Sequence, residues 1–160
     1  MRLSHDKYFL VMAKVVSLRS TCESRQVGAV LVDADNYVLS TGYNGPAKGL
    51  YTCKPCKRLG KSSGESLDNC MAVHAEQNAL LQCPDVKRIH TLYVTTSPCI
   101  TCLKMLFNTP CKTIIFMDQY PSNMVTDLWI LSGRQLIHSP FTPECTEILG
   151  SLSKIAELMP

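Results

Sequence analysis

Apolar and polar positions alternate along the chain in a way that divides it into helices and strands. Residues 4–20 place Phe9, Met12 and Val16 at helical spacing behind Ser4, a typical N-cap residue, and so predict an opening amphipathic helix. The same analysis predicts strands over 27–32, 37–43, 91–95, 113–117 and 135–138, and helices over 71–81, 100–107, 125–131 and from Thr142–Pro143 onward.

The order of these elements predicts an α/β fold. A turn at Asp33–Asn36 joins the first two strands as a hairpin, whereas later strands alternate with helices, which favours βαβ units with largely parallel pairing. We therefore expect a mixed five-stranded sheet flanked by helices. No repeat, low-complexity tract or shift of composition divides residues 1–160, so a single domain is predicted.

Residues 44–70 form an irregular insertion in this pattern. They are rich in Gly, Pro, Lys, Ser and Cys and lack periodicity, and a segment of this length needs something to hold it in place. Its basic residues are Lys54, Lys57, Arg58 and Lys61. We interpret them as side chains of a solvated loop, although their positive charge could also bind a nucleotide triphosphate.

Composition excludes several classes of protein. With 46% hydrophobic and 18% charged residues the chain is not intrinsically disordered, and no apolar run approaches the roughly 20 residues of a membrane helix. No secretory signal is apparent, so the expected compartment is the cytoplasm. The net charge of +3 is too small to indicate nucleic acid or a membrane as partner, but it leaves a small anionic ligand open.

Cysteine is the compositional outlier. An odd number, nine, in a chain without an apparent secretory signal indicates metal ligands or free thiols rather than a disulfide framework. The positions of these cysteines therefore decide the chemistry.

Two short segments at predicted helix starts combine into a metal site. His74 opens one helix, and Cys99 and Cys102 open another behind Pro98, so one imidazole and two thiolates are available to a single ion. Zinc held by three such ligands keeps a fourth position for a reactive water. The helix starts favour the thiolate forms of the cysteines.

Glu76 is the expected proton carrier at this site. It lies two residues beyond His74, which on a helix turns it away by roughly 200°, so it is not expected to be a fourth ligand. A carboxylate beside the open position can take a proton from the water and deliver it to a substrate nitrogen. A purely structural zinc site, a redox Cys-x-x-Cys pair and a packed histidine are the alternatives, but together the segments match the signature of nucleobase deaminases.

The chain resembles the deoxycytidylate deaminases of the cytidine deaminase-like superfamily over roughly residues 20–120. This resemblance implies hydrolytic deamination of dCMP to dUMP and ammonia, which supplies dUMP for thymidylate synthesis. Besides the zinc ligands, the matching motifs are Arg25-Gln26-Val27-Gly28-Ala29-Val30, Thr41-Gly42-Tyr43-Asn44-Gly45-Pro46 and Val73-His74-Ala75-Glu76-Gln77-Asn78-Ala79.

The resemblance also implies substrate contacts. Asn44 matches a residue that contacts the deoxyribose, and Arg25 and Tyr120 stand where relatives hold the phosphate. Ala75 and Ser97 complete the expected substrate-binding set. For Asn44 a left-handed turn is the structural alternative, and for Arg25 a solvated surface position.

A second metal site is expected at the insertion. Cys53 and Cys56 have the short spacing of zinc ribbons, and with Cys22 and Cys70 they would make a closed four-thiolate site that orders residues 44–70. Free thiols or a redox pair at Cys53 and Cys56 are the alternatives. The remaining cysteines are expected to be buried or free thiols, and they are Cys83, Cys111 and Cys145.

Regulation and assembly are implied by the resemblance alone. Relatives are hexamers activated by dCTP with Mg²⁺ and inhibited by dTTP, and Gly42, Tyr43 and Gly45 resemble part of the effector site. Two rival functions stay open: deamination of another nucleobase, tRNA adenosine included, and a non-catalytic zinc-binding interaction module.

Overall fold

A mixed five-stranded sheet is the centre of the computed structural model, which describes residues 2–50, 53–62, 65, 69–120 and 123–157 and, among these, omits the side chains of 123–126 and 152–157. The helices are α1 (His5–Ser17), α2 (Ala75–Gln82), α3 (Ile100–Phe107), α4 (Asn123–Leu131) and α5 (Pro143–Glu157). The strands are β1 (Gly28–Val32), β2 (Val38–Tyr43), β3 (Gly45–Pro46), β4 (Ala72–Val73), β5 (Thr91–Thr96), β6 (Thr113–Asp118) and β7 (Gln135–His138).

The order of strands in the sheet is β2-β1-β5-β6-β7. β1 pairs antiparallel with both β2 and β5, whereas β5, β6 and β7 run parallel to one another. The predicted mixed five-stranded sheet flanked by helices is thereby confirmed. Parallel pairing, however, extends only to β5, β6 and β7, because the short turn after β1 reverses the chain.

The turn between β1 and β2 is organised by Asp33. Its Oδ1 accepts hydrogen bonds from the backbone N–H groups of Asp35 (3.0 Å) and Tyr37 (2.9 Å), and its Oδ2 pairs with Arg88. Asn36 occupies the left-handed region with φ 65°, which Asn tolerates better than most residues. These features fix the hairpin that the sequence predicts.

Both faces of the sheet are covered, so each buries its own cluster of apolar side chains. One cluster includes Phe9 and Ala13 of α1 against Val30 and Tyr93. The other packs α2, α3 and Trp129 against the opposite face. Because β1 is buried on both faces, it appears in the sequence as a continuous apolar run.

Two glycines allow helices to approach the sheet closely. A Cβ atom at Gly28 would lie 2.0 Å from the carbonyl oxygen of Ala13 in α1. A Cβ atom at Gly42 would lie 2.2 Å from the carbonyl oxygen of Ala75 and 2.3 Å from the backbone nitrogen of Ala79 in α2. Gly42 thus sets the distance between β2 and α2.

The predicted helix over 71–81 starts four residues too early. Ala72 and Val73 instead form β4 and pair with Pro46 and Gly45, and α2 begins only after His74, whose backbone is extended. Strand pairing with a distant segment outweighs the local helical pattern here. Among the described residues of 44–70, the only strand is β3, so the insertion is largely irregular as predicted.

No helix in the described part of the chain combines the length and apolar character needed to cross a membrane.

Candidate active site

The first turn of α2 carries one ligand and the buried carboxylate. His74 is the N-cap residue of this helix, and its backbone N–H donates to Oε1 of Gln77 at 2.8 Å. Gln77 also reaches the Met105 sulfur of α3 with its side-chain nitrogen (3.9 Å), so it connects the start of α2 with α3. The backbone at His74 is thereby held where the imidazole faces α3.

The start of α3 carries the two thiols. β5 ends at Thr96, and the chain turns through Ser97 and Pro98 to Cys99, the N-cap residue of α3, with Cys102 in the first turn. The Ser97 N–H donates to the carbonyl oxygen of Asp118 at 2.9 Å, which fixes this corner to the end of β6.

The other end of α3 is fastened by Arg134. Its guanidinium donates to the carbonyl oxygens of Leu106 (3.3 Å), Phe107 (3.2 Å) and Thr109 (3.5 Å) and lies over the Trp129 ring at 4.7 Å. These bonds add a donor to carbonyl groups in and just after the last turn of α3. The helix that presents Cys99 and Cys102 is therefore held at both ends.

The three predicted zinc ligands converge. Nδ1 of His74 lies 3.4 Å from Sγ of Cys99 and 3.4 Å from Sγ of Cys102, and among the described residues they are the one group of at least three ligand atoms that all lie within 4.8 Å of one another. In a tetrahedral site with Zn–N bonds of about 2.1 Å and Zn–S bonds of about 2.3 Å, nitrogen and sulfur lie about 3.6 Å apart. The donor set and its spacing fit zinc.

The electrostatics of the ligands favour metal binding. A hydrogen bond with Cys102 lowers the pKa of the Cys99 thiol to about 4, although burial opposes this shift, and the His74 ring contributes further. The pKa of Cys102 is raised because it shares that hydrogen bond and is buried. The pKa of His74 is raised by its bond with Cys99. These shifts favour a thiolate at Cys99, the form in which a cysteine binds zinc.

Glu76 lies beside these ligands at the base of the cleft. Only 4% of its surface is exposed, and burial raises the pKa of its carboxyl to about 7. The charges of His74 and Cys99 and a hydrogen bond with Cys102 also act on it, so it lies within interaction range of all three ligands. A carboxyl group with such a pKa can both accept and release a proton near neutrality.

Asn44 organises the wall of the cleft. Its Oδ1 accepts from the Ser20 hydroxyl (2.7 Å) and the Val27 N–H (2.8 Å), while its Nδ2 donates to the carbonyl oxygen of Arg25 (2.8 Å). This leaves one Nδ2 hydrogen for a ligand. The predicted deoxyribose contact is buried and also holds the segment that leads into β1.

Arg25 and Tyr120 meet at the mouth of the cleft. The guanidinium lies over the Tyr120 ring at 6.0 Å, and the Tyr120 N–H donates to the hydroxyl of Ser97 at 2.7 Å. All three residues line the cavity that contains His74 and Glu76. The structure thus brings the predicted phosphate and substrate contacts, Ala75 included, into one cleft with the zinc ligands.

The cleft has a volume of about 150 Å³. Arg58 and Lys61 of the insertion also line it, although sequence reasoning interpreted them as a solvated loop. A local basic stretch gives no signal of the direction in which a loop faces. Only the course of the chain after β3 brings these cations to the cleft.

The four cysteines of the second predicted site line a single neighbouring cavity. Burial, followed by the charges of Cys22 and Cys56, raises the pKa of the Cys53 thiol, and Cys70 also contributes. No three of these sulfurs lie within 4.8 Å of one another, whereas a tetrahedral zinc site spaces its sulfurs about 3.8 Å apart. The cysteines are neighbours, but the structure holds them more loosely than a closed site would.

The remaining cysteines line neither the cleft nor the cavity of the four cysteines. Cys111 and Cys145 are buried, Cys83 is half-buried at the end of α2, and burial raises the pKa of Cys111 to about 11.

The loop predicted to bind effectors is attached to α2. Gly42 contacts the α2 backbone, Gly45 pairs with Val73, and the carbonyl oxygen of Tyr43 accepts a hydrogen bond from the Asn78 side chain at 2.7 Å. These contacts give the residues packing roles that the motif alone does not reveal.

Comparison with known proteins agrees with this arrangement. The zinc-binding region of cytidine and deoxycytidylate deaminases matches residues 3–118. The deoxycytidylate deaminase of Mycobacterium phage D29 is 40% identical over 119 residues, which cover 69% of this chain and 92% of the phage protein. That of Schizosaccharomyces pombe (strain 972 / ATCC 24843) is 39% identical over 125 residues, which cover 74% of this chain and 38% of the yeast protein. The matched region thus spans about two fifths of that relative.

A solved structure shares the fold. The dCMP deaminase of cyanophage S-TIM5, in complex with dCMP and dUMP, superposes with a TM-score of 0.70 at 25% identity, covering 87% of this chain and 99% of that one. The resemblance inferred from the sequence motifs is confirmed. By the match of residues 3–118 and by the phage relative, the chain belongs to the cytidine and deoxycytidylate deaminase family.

Proposed function

We propose that the protein catalyses the hydrolytic deamination of dCMP to dUMP and ammonia and so supplies dUMP for thymidylate synthesis. One observation carries the proposal: the converging His74, Cys99 and Cys102 side chains share a cleft with the buried Glu76 carboxyl. Relatives named deoxycytidylate deaminase support dCMP as the substrate.

The chain's own groups account for the proton transfers. Zinc, when held by His74, Cys99 and Cys102, supplies the acidity that makes water a nucleophile near neutral pH. Glu76 takes a proton from the attacking water and delivers it to N3 of the cytosine ring. It then takes the remaining proton from the hydroxyl group added at C4 and delivers it to the amino group, which departs as ammonia. Its burial and its pKa of about 7 suit a group that is charged and neutral in turn.

The substrate is held along the cleft. We assign the deoxyribose to Asn44 and the phosphate to Arg25 and Tyr120, with Ala75 and Ser97 beside the base. Arg25 suits a phosphate because its planar group donates two parallel hydrogen bonds. Ala75, in the first turn of α2, belongs to a set of backbone N–H groups that lack a partner within the helix.

A second, structural zinc is proposed at Cys22, Cys53, Cys56 and Cys70 within a single domain of residues 1–160. Their common cavity supports it, and the ion would draw the four sulfurs together and fasten the insertion at about 44–70. Such an ion would contribute to folding rather than to the reaction.

Regulation is proposed at the loop of Gly42, Tyr43 and Gly45, with dCTP and Mg²⁺ as activator and dTTP as inhibitor of a hexamer. The contacts of this loop with α2 support the proposal, because a ligand that moves the loop also moves the helix that carries Glu76. The cytoplasmic location stays a prediction from the sequence.

A direct assay tests the substrate. Ammonia release is measured from zinc-loaded protein with dCMP, CMP, deoxycytidine, cytosine, adenosine and guanine in parallel. We expect dCMP to give the highest kcat/KM. A higher kcat/KM for another compound would identify that compound as the substrate instead of dCMP. No turnover of any compound by folded, metal-loaded protein would favour the non-catalytic module.

A further inference from the structure

Two guanidinium groups line the cleft without a carboxylate partner in the described part of the chain. Arg25 lies over the Tyr120 ring, and Arg58 uses its Nε to donate to the carbonyl oxygen of Glu65 at 2.9 Å. Among the described residues, no hydrogen bond from the terminal nitrogens of Arg58 accompanies the bond from Nε. The ion pairs in the described residues are Lys7–Glu144, Lys61–Glu65 and Arg88–Asp33.

Positively charged side chains outnumber negatively charged ones among the described residues that line the cleft. Lys61 also lines it but forms an ion pair with Glu65 at 3.6 Å, and Glu76 is the one carboxylate among the described lining residues. Among the described residues, Glu76 forms no ion pair with either arginine. A phosphate monoester carries a charge of about −1.5 to −2 near pH 7, which two guanidinium groups match.

The segments that carry these arginines are tied together. Glu23 precedes Arg25 by two residues, and its Oε2 accepts a hydrogen bond from the N–H of Cys56, which precedes Arg58 by two residues, at 2.8 Å. Arg58 also lines the neighbouring cavity of the cysteines. The insertion thus brings a second guanidinium to the cleft that Arg25 already lines.

We infer that Arg58 binds the phosphate of the nucleotide together with Arg25 and that the insertion thereby selects a 5′-monophosphate over the nucleoside. The inference rests on the proposed function in taking a nucleotide as the ligand. Two planar guanidinium groups offer a phosphate several charge-assisted hydrogen bonds in fixed directions. Lys61 already has a carboxylate partner in Glu65, so among the described residues of the cleft the two arginines are the cations without one.

Calorimetric titration with the product dUMP tests the role of Arg58 without turnover. Zinc-loaded wild-type protein, Arg58→Gln, Arg58→Lys and Lys57→Gln are titrated with dUMP and with deoxyuridine. We expect Arg58→Gln to weaken dUMP binding about 10- to 100-fold, the effect of one lost charge-assisted contact, with the Kd of deoxyuridine unchanged. Lys57 is exposed and lines only the cavity of the cysteines, so Lys57→Gln is the matched control and should bind like wild type.

The variant Arg58→Lys separates charge from loop structure. It keeps the cation but loses the bond from Nε to Glu65, so we expect a Kd for dUMP between those of wild type and Arg58→Gln. Equal losses in Arg58→Lys and Arg58→Gln, or equal losses for dUMP and deoxyuridine, would show that Arg58 acts through the loop and would overturn the inference. If Arg58→Gln weakened the binding of deoxyuridine triphosphate more than that of dUMP, the inference that Arg58 selects a monophosphate would be overturned.

The outcomes separate this inference from the proposed function. If wild-type protein deaminates dCMP and Arg58→Gln binds dUMP like wild type, the inference fails and the function stands. If dUMP binding depends on Arg58 but no cytosine compound is deaminated, the inference stands and the function fails.

Discussion

Glu76 combines burial with a position beside three converging ligand atoms, so its replacement tests the proposed reaction most directly. Glu76→Gln keeps the shape of the side chain but removes its capacity to accept and return a proton. We expect kcat for dCMP to fall on the order of 10²-fold or more, the typical contribution of a general acid and base. Zinc content and melting temperature should stay close to those of wild type.

An exposed glutamate of α5 supplies the control. Glu147→Gln makes the same chemical change far along the chain from the cleft and should leave kcat unchanged. Near-normal kcat in Glu76→Gln would remove the proton-transfer mechanism, and joint loss of zinc and activity would point to a structural role instead.

Asp33 gives the hairpin turn a dependence on pH. The N–H of Tyr37, then that of Asp35 and the Arg88 guanidinium, lower the pKa of the Asp33 carboxyl, although burial opposes them. A carboxyl with a lowered folded-state pKa stabilises the protein above its unfolded pKa of about 3.9, and this stabilisation is lost as the pH falls through the folded-state pKa. Urea unfolding should therefore show a stability difference between wild type and Asp33→Asn that is constant near neutral pH and shrinks below about pH 4.

Asp35→Asn in the same turn changes an exposed carboxyl and should follow the acid profile of wild type. Parallel acid profiles for wild type and Asp33→Asn would contradict the assigned role of the Asp33 charge.

At the scale of single residues, short spacing carries most of the predictable information. The zinc ligands are predictable because each segment lies at a helix start, where two or three neighbouring residues settle the geometry. The position of Arg58 in the cleft is not predictable in this way, because it depends on the path of an irregular loop. Asn44 is identifiable from its motif, but its bonds with Ser20, Arg25 and Val27 depend on folding.

At the scale of elements, the close contact between β2 and α2 makes Gly42 sensitive to substitution. A methyl group at Gly42 would meet two backbone atoms of α2, which cannot rotate away as a side chain can. Gly42→Ala should therefore displace α2, lower the free energy of unfolding by about 1–3 kcal/mol and reduce dCMP turnover. Chemical unfolding and steady-state kinetics measure the two effects.

Gly150→Ala is the matched control, because a Cβ atom at this position of α5 meets nothing within 4 Å. Alanine is a better helix former than glycine, so this variant should be neutral or up to about 1 kcal/mol more stable. Wild-type stability and turnover in Gly42→Ala would show that α2 does not depend on this contact.

The start of α2 shows why elements are predicted less well than motifs. Ala72 and Val73 suit a helical pattern as well as a strand, and only pairing with Gly45 and Pro46 decides between them. That pairing joins segments separated by the whole insertion. A local pattern contains no information about it.

At the scale of the whole molecule, the proposed second zinc links the insertion to the stability of the fold. Loaded wild-type protein should contain two zinc ions per chain, and Cys53→Ser should contain one and melt at a lower temperature, because one thiolate of the closed site is lost. Elemental analysis and thermal unfolding measure both properties. The catalytic ion at His74 should stay in place.

Cys83→Ser is the control, since Cys83 lies at the end of α2 and lines neither cavity, and this variant should keep two zinc ions. One zinc in fully loaded wild-type protein, or a disulfide between Cys53 and Cys56, would remove the second site.

The architecture as a whole follows from the element order except in strand direction. The hairpin and the alternation of helices and strands predict a mixed sheet. They do not show that β5 lies beside β1, because this neighbour relation depends on where α2 lets the chain return to the sheet. The antiparallel pairing of β1 with β5 is therefore visible only in the structure.

Trp129 packs against both Phe107 and Arg134 at the end of α3, and it is the only tryptophan of the chain. Its fluorescence therefore reports on one region, the C-terminal end of the helix that presents Cys99 and Cys102. A chelator that strips the ion from these thiols and loosens α3 should change the emission spectrum. Release of an ion from the insertion should leave the emission spectrum unchanged. Tryptophan fluorescence should therefore distinguish loss of the catalytic ion from loss of the ion at the insertion.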